Sequence, residues 1–179
     1  MVACDDQATA PPPAAQVVEA IVLDVAHDLP VDPERPEALP VVYVVSESDE
    51  PFSAQVQARV ASAVVDEVDV RFADERDESM HLDQPGSPVR DEGALVLIDE
   101  IVLDDSPTTV DVEVYWSSTQ FSRRAVTFGQ SGDEWSESHS SVLEEMDVPP
   151  TTEPSDDVSE DGAPSSAVPS TVTSTEPNP

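Results

Sequence analysis

The chain has 179 residues, with 39 carboxylates set against seven arginines and no lysine, and carries a formal net charge of −32. Charge on this scale repels phosphate backbones and anionic lipid, which excludes nucleic acid as a partner. One cysteine excludes an internal disulfide and a thiolate zinc site.

The acidity belongs to the middle of the chain. Residues 1–15 hold two acids and residues 147–179 hold seven, which leaves thirty, with all seven arginines, in residues 16–146. Two readings follow. A protein working in concentrated salt keeps hydrated carboxylates while their repulsion is screened, the Debye length falling to about 3 Å at 1 M. Alternatively, an acidic surface sequesters a basic partner. Charge spread over the whole middle segment favours the solvent adaptation.

Residues 1–15 read as a small-residue, proline-bearing tether. Helical spacing begins at Gln16, where Val17, Val18, Ile21, Val22 and Val25 recur at three and four, and should end near His27 before Leu29-Pro30. Pro30, Pro33, Pro36 and Pro40 predict a stiff, extended connector. Val41–Val45 is a β-branched run expected to be buried on both faces. Ser48-Asp49-Glu50-Pro51 reads as a helix start, with Phe52, Val56, Val60, Ala63 and Val64 on one face. Val68, Val70 and Phe72 alternate as a second strand, and residues 73–92 read as a long charged surface loop.

Leu95–Leu103 is strand-like although Asp99 and Glu100 interrupt it. Val110, Val112, Val114 and Trp116 give the clearest alternation in the chain. Arg124, Val126 and Phe128 predict the partner strand, and Gly129–Asp133 a hairpin onto a short strand containing Trp135. Residues 147–179, rich in proline, serine, threonine and acids, read as a disordered tail. The expected architecture is one α+β domain over 16–146, with two helices on one face of a mainly antiparallel, curved sheet of about five or six strands. Trp116, Trp135, Phe128, Phe52 and Tyr43 are its expected anchors. No apolar run reaches the ~18 residues of a membrane span.

Few residues carry chemistry. His27, His81 and His139 show no metal spacing, and Ser131 falls in a hairpin where a nucleophile turn would need a strand followed by a helix. Asp104, Asp105, Asp111 and Glu113, or Asp66, Glu67 and Asp69, could be drawn as calcium ligands but lack the twelve-residue loop pattern, so weak, nonspecific cation binding is expected. No phosphate loop or dinucleotide motif points to a cofactor. Asp99 and Glu100 stand out because strict alternation would turn one of them toward the hydrophobic layer, although an edge or bulged strand that exposes both is the commoner arrangement. In that layer Arg123 or Arg124 would be its partner, and His139 a further pocket residue.

Two resemblances add to this reading. Met1-Val2-Ala3-Cys4-Asp5 resembles the end of a bacterial lipoprotein signal, which implies Cys4 as a lipid anchor and the following residues as a spacer. Gly93–Glu137, with Val110–Trp116 and Gly132-Asp133-Glu134-Trp135, resembles small bacterial domains of unknown function whose layout is similar to the cystatin-like, nuclear-transport-factor-like α+β cone. The expected function is a non-enzymatic, exported or envelope-tethered binding module of a salt-adapted bacterium. The alternatives are a cytoplasmic acidic protein that binds a basic partner, and a small enzyme with a pocket between helix and sheet.

Overall fold

The computed structural model describes residues 12–31, 33–104 and 106–147. Cys4 and residues 148–179 lie outside them. Helix α1 spans Pro13–Asp28, three residues earlier than the apolar spacing alone indicates. Pro13 supplies the preset φ that suits a first turn. Ala15, Val17, Val18, Ile21, Val22 and Val25 form its buried stripe. Leu29, extended at ψ 138° before Pro30, stops it.

Strand β1 (Val41–Ser46) leads to α2 (Ala54–Ala63), and β2 (Asp69–Phe72) follows. The α2 cap is Ser53, whose Oγ accepts from the Val56 amide at 3.3 Å. Ser48, expected to open this helix, instead donates to the Glu50 carbonyl at 2.7 Å. A local side-chain turn there delays the helix by five residues. Strands β3 (Ala94–Ile98), β4 (Thr108–Ser117), β5 (Gln120–Ser131) and β6 (Glu134–Asp147) complete the chain.

All six strands form one sheet in the order β2-β1-β3-β4-β5-β6. β1 lies parallel to both β2 and β3, and β3 to β6 run as an antiparallel meander. Both helices cover one face, where α1, α2, Val44, Val96, Ile98, Val112 and Phe128 share the main core. The protein is thus an α+β domain of two helices on an open, mostly antiparallel six-stranded sheet.

The opposite face is not bare. The segment between β2 and β3, read from sequence as a surface loop, crosses back over β1 and buries Met80 and Val89 against Tyr43, Val45, Leu95, Leu97 and Tyr115. Met80 and Val89 bridge each other. The Val89 amide also donates to the Trp116 carbonyl at 3.0 Å, and the Ser118 amide to the Gly86 carbonyl at 2.8 Å. This strap explains why β1 and β3 are apolar on both faces, although only one face carries helices.

β6 is the largest departure from expectation. Instead of a short strand it runs for 14 residues, and apart from Trp135 almost none of it is buried. Its support is the ladder to the 12-residue β5, with register shifts that bulge out Ser138 and Leu143. The hairpin turns at Gly132, whose φ of +67° favours glycine. No helix among the described residues is long and apolar enough to cross a membrane.

Candidate functional site

The two chain crossings leave β1 on opposite faces. β1 reaches β2 through α2 on the helical face, whereas β2 reaches β3 through the strap on the other. The carboxyl ends of β1 and β2 therefore flank a topological switch point, the place where open sheets with parallel strands form crevices, and the carboxyl ends of β1 and β3 lie side by side next to it. Glu47 and Asp99 sit there, joined through the Glu47 amide to the Ile98 carbonyl at 2.8 Å. Burial, then the Glu113 and Asp99 charges, raise the Glu47 carboxyl above its ordinary range. On the adjoining sheet surface Tyr115 Oη donates to Glu113 Oε2 at 2.6 Å, under the Arg76 guanidinium 4.0 Å from the ring centroid. Burial and that carboxylate push the Tyr115 phenol up to about 12. Among the described residues, no group of three or more His, Cys, Asp or Glu is arranged to hold a metal ion.

The residues singled out from sequence are dispersed. β3 ends at Ile98, so Asp99 and Glu100 follow the strand and both are exposed; neither turns into the hydrophobic layer. Asp99 instead closes a local turn, its Oδ1 accepting from the Glu100 amide at 2.7 Å. Arg124, expected beside them, projects to the helical face and bonds Asp24 at 3.1 Å and Asp28 at 2.9 Å on α1. Arg123, on the other face, bonds Asp111 at 2.9 Å. His139 is exposed on β6 opposite Thr127; β6 is the third neighbour of β3, about 14 Å across the sheet at ~4.8 Å per strand. His27 Nδ1 lies 3.3 Å from the Leu23 carbonyl of its own helix.

The other end of the sheet carries a feature that no motif indicated. A broad, open depression of about 1900 Å³ lies among the proline-rich connector, the strap, the β4–β5 turn and the end of β6. Small-molecule pockets are typically ~300–1,000 Å³ and largely enclosed. Val31, Leu39 and Val65 stand exposed in it, with Trp116, Phe121 and Met146. At its edge Arg71 bonds Asp69 at 2.7 Å, pairs with Asp91, and donates to Tyr43 Oη at 2.8 Å. Tyr43 in turn donates to Asp91 Oδ2 at 2.8 Å. These side chains clamp the strap where Asp91 and Glu92 hold left-handed φ of +56° and +55°. Arginine scarcity was the one available signal: with only seven in the chain, an arginine inside a predicted strand marks a specific ion pair.

The hydrogen bond from Tyr43, followed by that from Arg71, holds the Asp91 carboxyl below its usual range. A depressed folded value means that the stabilisation is complete above the unfolded pKa of about 3.9 and is lost as pH falls through the folded value. Asp91→Asn should therefore flatten the acid limb of the stability curve below about pH 4 and cost under about 1 kcal/mol at pH 7, because the pair is half-exposed. Urea unfolding at pH 3 and pH 7 checks this, and an unchanged acid limb contradicts it.

No protein-family model, curated protein or solved structure matches this chain.

Proposed function

We propose that this is a non-catalytic, macromolecule-binding module of a salt-adapted bacterium, exported or held at the cell envelope through its N-terminal segment. The observation that carries the reading is the position of the depression relative to the entry of the chain. The start of α1 is tied to the β5–β6 hairpin tip, where Gln16 bonds both the Asp133 carbonyl and the Trp135 amide. The end of α1, at Ala26, Asp28 and Leu29, lines the depression. Sixteen helical residues at ~1.5 Å each separate the two by about 24 Å. A domain tethered by its N-terminus would thus present the depression away from the tether. Its breadth and its mixed apolar and charged lining suit a protein surface better than a small substrate. The dispersal of Asp99, Glu100, Arg124 and His139 supports binding over catalysis. The resemblance of Gly93–Glu137 to a cystatin-like layout, read from the sequence alone, would be compatible with such a role and by itself carries no function.

A photo-crosslinker at Val65 in the depression, compared with one at Asp133 on the hairpin tip, tests the reading in cells. A defined adduct at Val65 alone is expected, with the natural full-length protein recovered in the envelope or exported fraction. Recovery only from the soluble cytosol would overturn the tether and leave the alternative, a cytoplasmic acidic protein on a basic partner. Equal labelling at both positions would overturn the depression as the binding surface.

A further inference from the structure

The binding reading leaves open how a partner is gripped, and β6 supplies an answer that rests on that reading. Among the described residues β6 is an edge strand with β5 as its sole neighbour in the sheet, so one row of its backbone amides and carbonyls has no ladder partner there. Edges of this length are usually blunted with charged side chains, lysine above all, with proline, with bulges or with a covering segment. β6 carries its carboxylates and its two bulges toward the ends, whereas its middle holds no carboxylate, lysine or proline, and among the described residues no strand covers it. The opposite edge, β2, is four residues long and half-buried.

The charge pattern along β6 selects the occupant. Glu134 and Glu137 lie at one end, Glu144, Glu145 and Asp147 at the other, and Ser138–Leu143 between them is free of carboxylates. Within that window Val142 and Leu143 are 59% and 56% exposed. Arginines on the neighbouring strand are already engaged, Arg123 by Asp111 and Arg124 by Asp24 and Asp28. They reach Glu144 and Glu137 on β6 only through charge, without a hydrogen bond, so a basic partner would supply the direct pairing that these carboxylates lack. A second copy would set Glu137 against Glu144 and Glu145 when the window paired antiparallel with itself, and like charges across strands are destabilising. The far end of β6 continues into the depression through Glu145, Met146 and Asp147.

We infer that the free edge of β6 takes an extended, cationic peptide segment by β-strand addition, its uncharged middle pairing along Ser138–Leu143 and its basic ends meeting the flanking carboxylates. Main-chain hydrogen bonds would supply affinity and the flanking charges the choice of partner. The bulges at Ser138 and Leu143 bracket a straight stretch, His139–Val142, as the pairing segment.

The test is calorimetric titration of the full chain with a short alternating threonine–valine peptide ended by arginines, against serine-ended and glutamate-ended counterparts. The arginine-ended peptide should bind at least about tenfold tighter than the glutamate-ended one. Successive residues of a regular strand point their N–H groups to opposite edges. Of Ser140→Pro and Ser141→Pro, one therefore removes an outward N–H while sparing the β5 ladder. That variant should retain the native circular dichroism and lose binding at least tenfold. Glu144→Gln with Glu145→Gln should weaken the arginine-ended peptide and leave the serine-ended one unchanged. Equal binding by both natively folded proline variants would overturn strand addition in favour of unspecific charge attraction. A dimer dispersed by the same proline variant would overturn it in favour of a second copy. If the cellular adduct at Val65 persists in that variant while peptide binding is lost, the depression and the edge act separately; if the adduct persists and no peptide binds the parent protein, only the edge inference fails.

Discussion

Gly93→Ala is expected to destabilise the domain by about 3 kcal/mol and to lower its melting temperature by roughly 10 °C, the upper range for overpacking a close-packed site. The reason is not backbone conformation. Gly93 is extended at φ −88°, ψ −167°, a region open to any residue. What forbids a side chain is proximity: a Cβ would stand 2.4 Å from the Val41 carbonyl oxygen and 3.1 Å from its Cβ. Val41 opens β1, and the next pair, Val42 with Ala94, begins the parallel ladder at the centre of the sheet. Relief would require the two strands to part, at the cost of ladder hydrogen bonds in a stretch buried on both faces. It would also displace Asp91 and Glu92 and so the clamp with Tyr43 and Arg71. Gly129 is the control, because nothing lies within 4 Å of the position its Cβ would take. Gly129→Ala should stay within about 0.5 kcal/mol of the parent. Urea unfolding of both variants decides the matter, and a loss below about 1 kcal/mol for Gly93→Ala would show that β1 and β3 are less closely fixed than described.

The contrast between these glycines shows what the sequence could reveal. α1, β1 and β4 were legible because each buries a stripe or face at its own period: Val17–Val25 at three and four, Val110–Trp116 at two. The strap was not legible. Met80 and Val89 are isolated apolar residues in a charged segment, and only the crossing from β2 to β3 brings them onto Tyr43 and Leu95. β6 was illegible for the opposite reason. Ser136–Ser141 has no hydrophobic alternation because the strand is held by its ladder to β5, a nonlocal term to which propensity is blind. Asp99 and Glu100 were visible as an interruption, but whether an interruption means a buried carboxylate or a strand end depends on the register with β4, where β3 ends at Ile98 opposite Val112 and a last hydrogen bond runs from the Asp99 amide to the Asp111 carbonyl. Arg124 finds its partners 96 and 100 residues away on α1, a separation no local pattern encodes.

Salt should produce an effect as large as any substitution. Between 0.1 M and 2 M KCl the melting temperature is expected to rise by roughly 10 °C or more, steeply to about 1 M and more slowly beyond, as the Debye length falls from about 10 Å to about 3 Å. Attraction cannot supply this slope. Ion pairs such as Arg124 with Asp24 and Asp28 weaken in salt, and with seven arginines against 39 acids they are outnumbered by repulsive contacts. The core adds little reserve, because among the described residues 17 of the 29 buried hydrophobic ones are valines, small side chains that remove limited area from water. Proton binding should substitute for salt. Burial first, then neighbouring acids, raise the Glu47 and Glu137 carboxyls above their ordinary range. A raised folded value means that the folded state binds the proton more tightly, so these groups cost stability at neutral pH and cease to as pH falls through their folded values. Groups such as Asp91 act in the opposite sense only at lower pH. At 0.1 M KCl the melting temperature should therefore rise as pH falls from neutral, and fall again only once the depressed carboxyls begin to take up protons. At 2 M KCl the same profile should be nearly flat, since screening has already removed what protonation would relieve. A melting temperature indifferent to KCl at pH 7 would refute salt adaptation as the meaning of this charge and leave a basic partner as its reason.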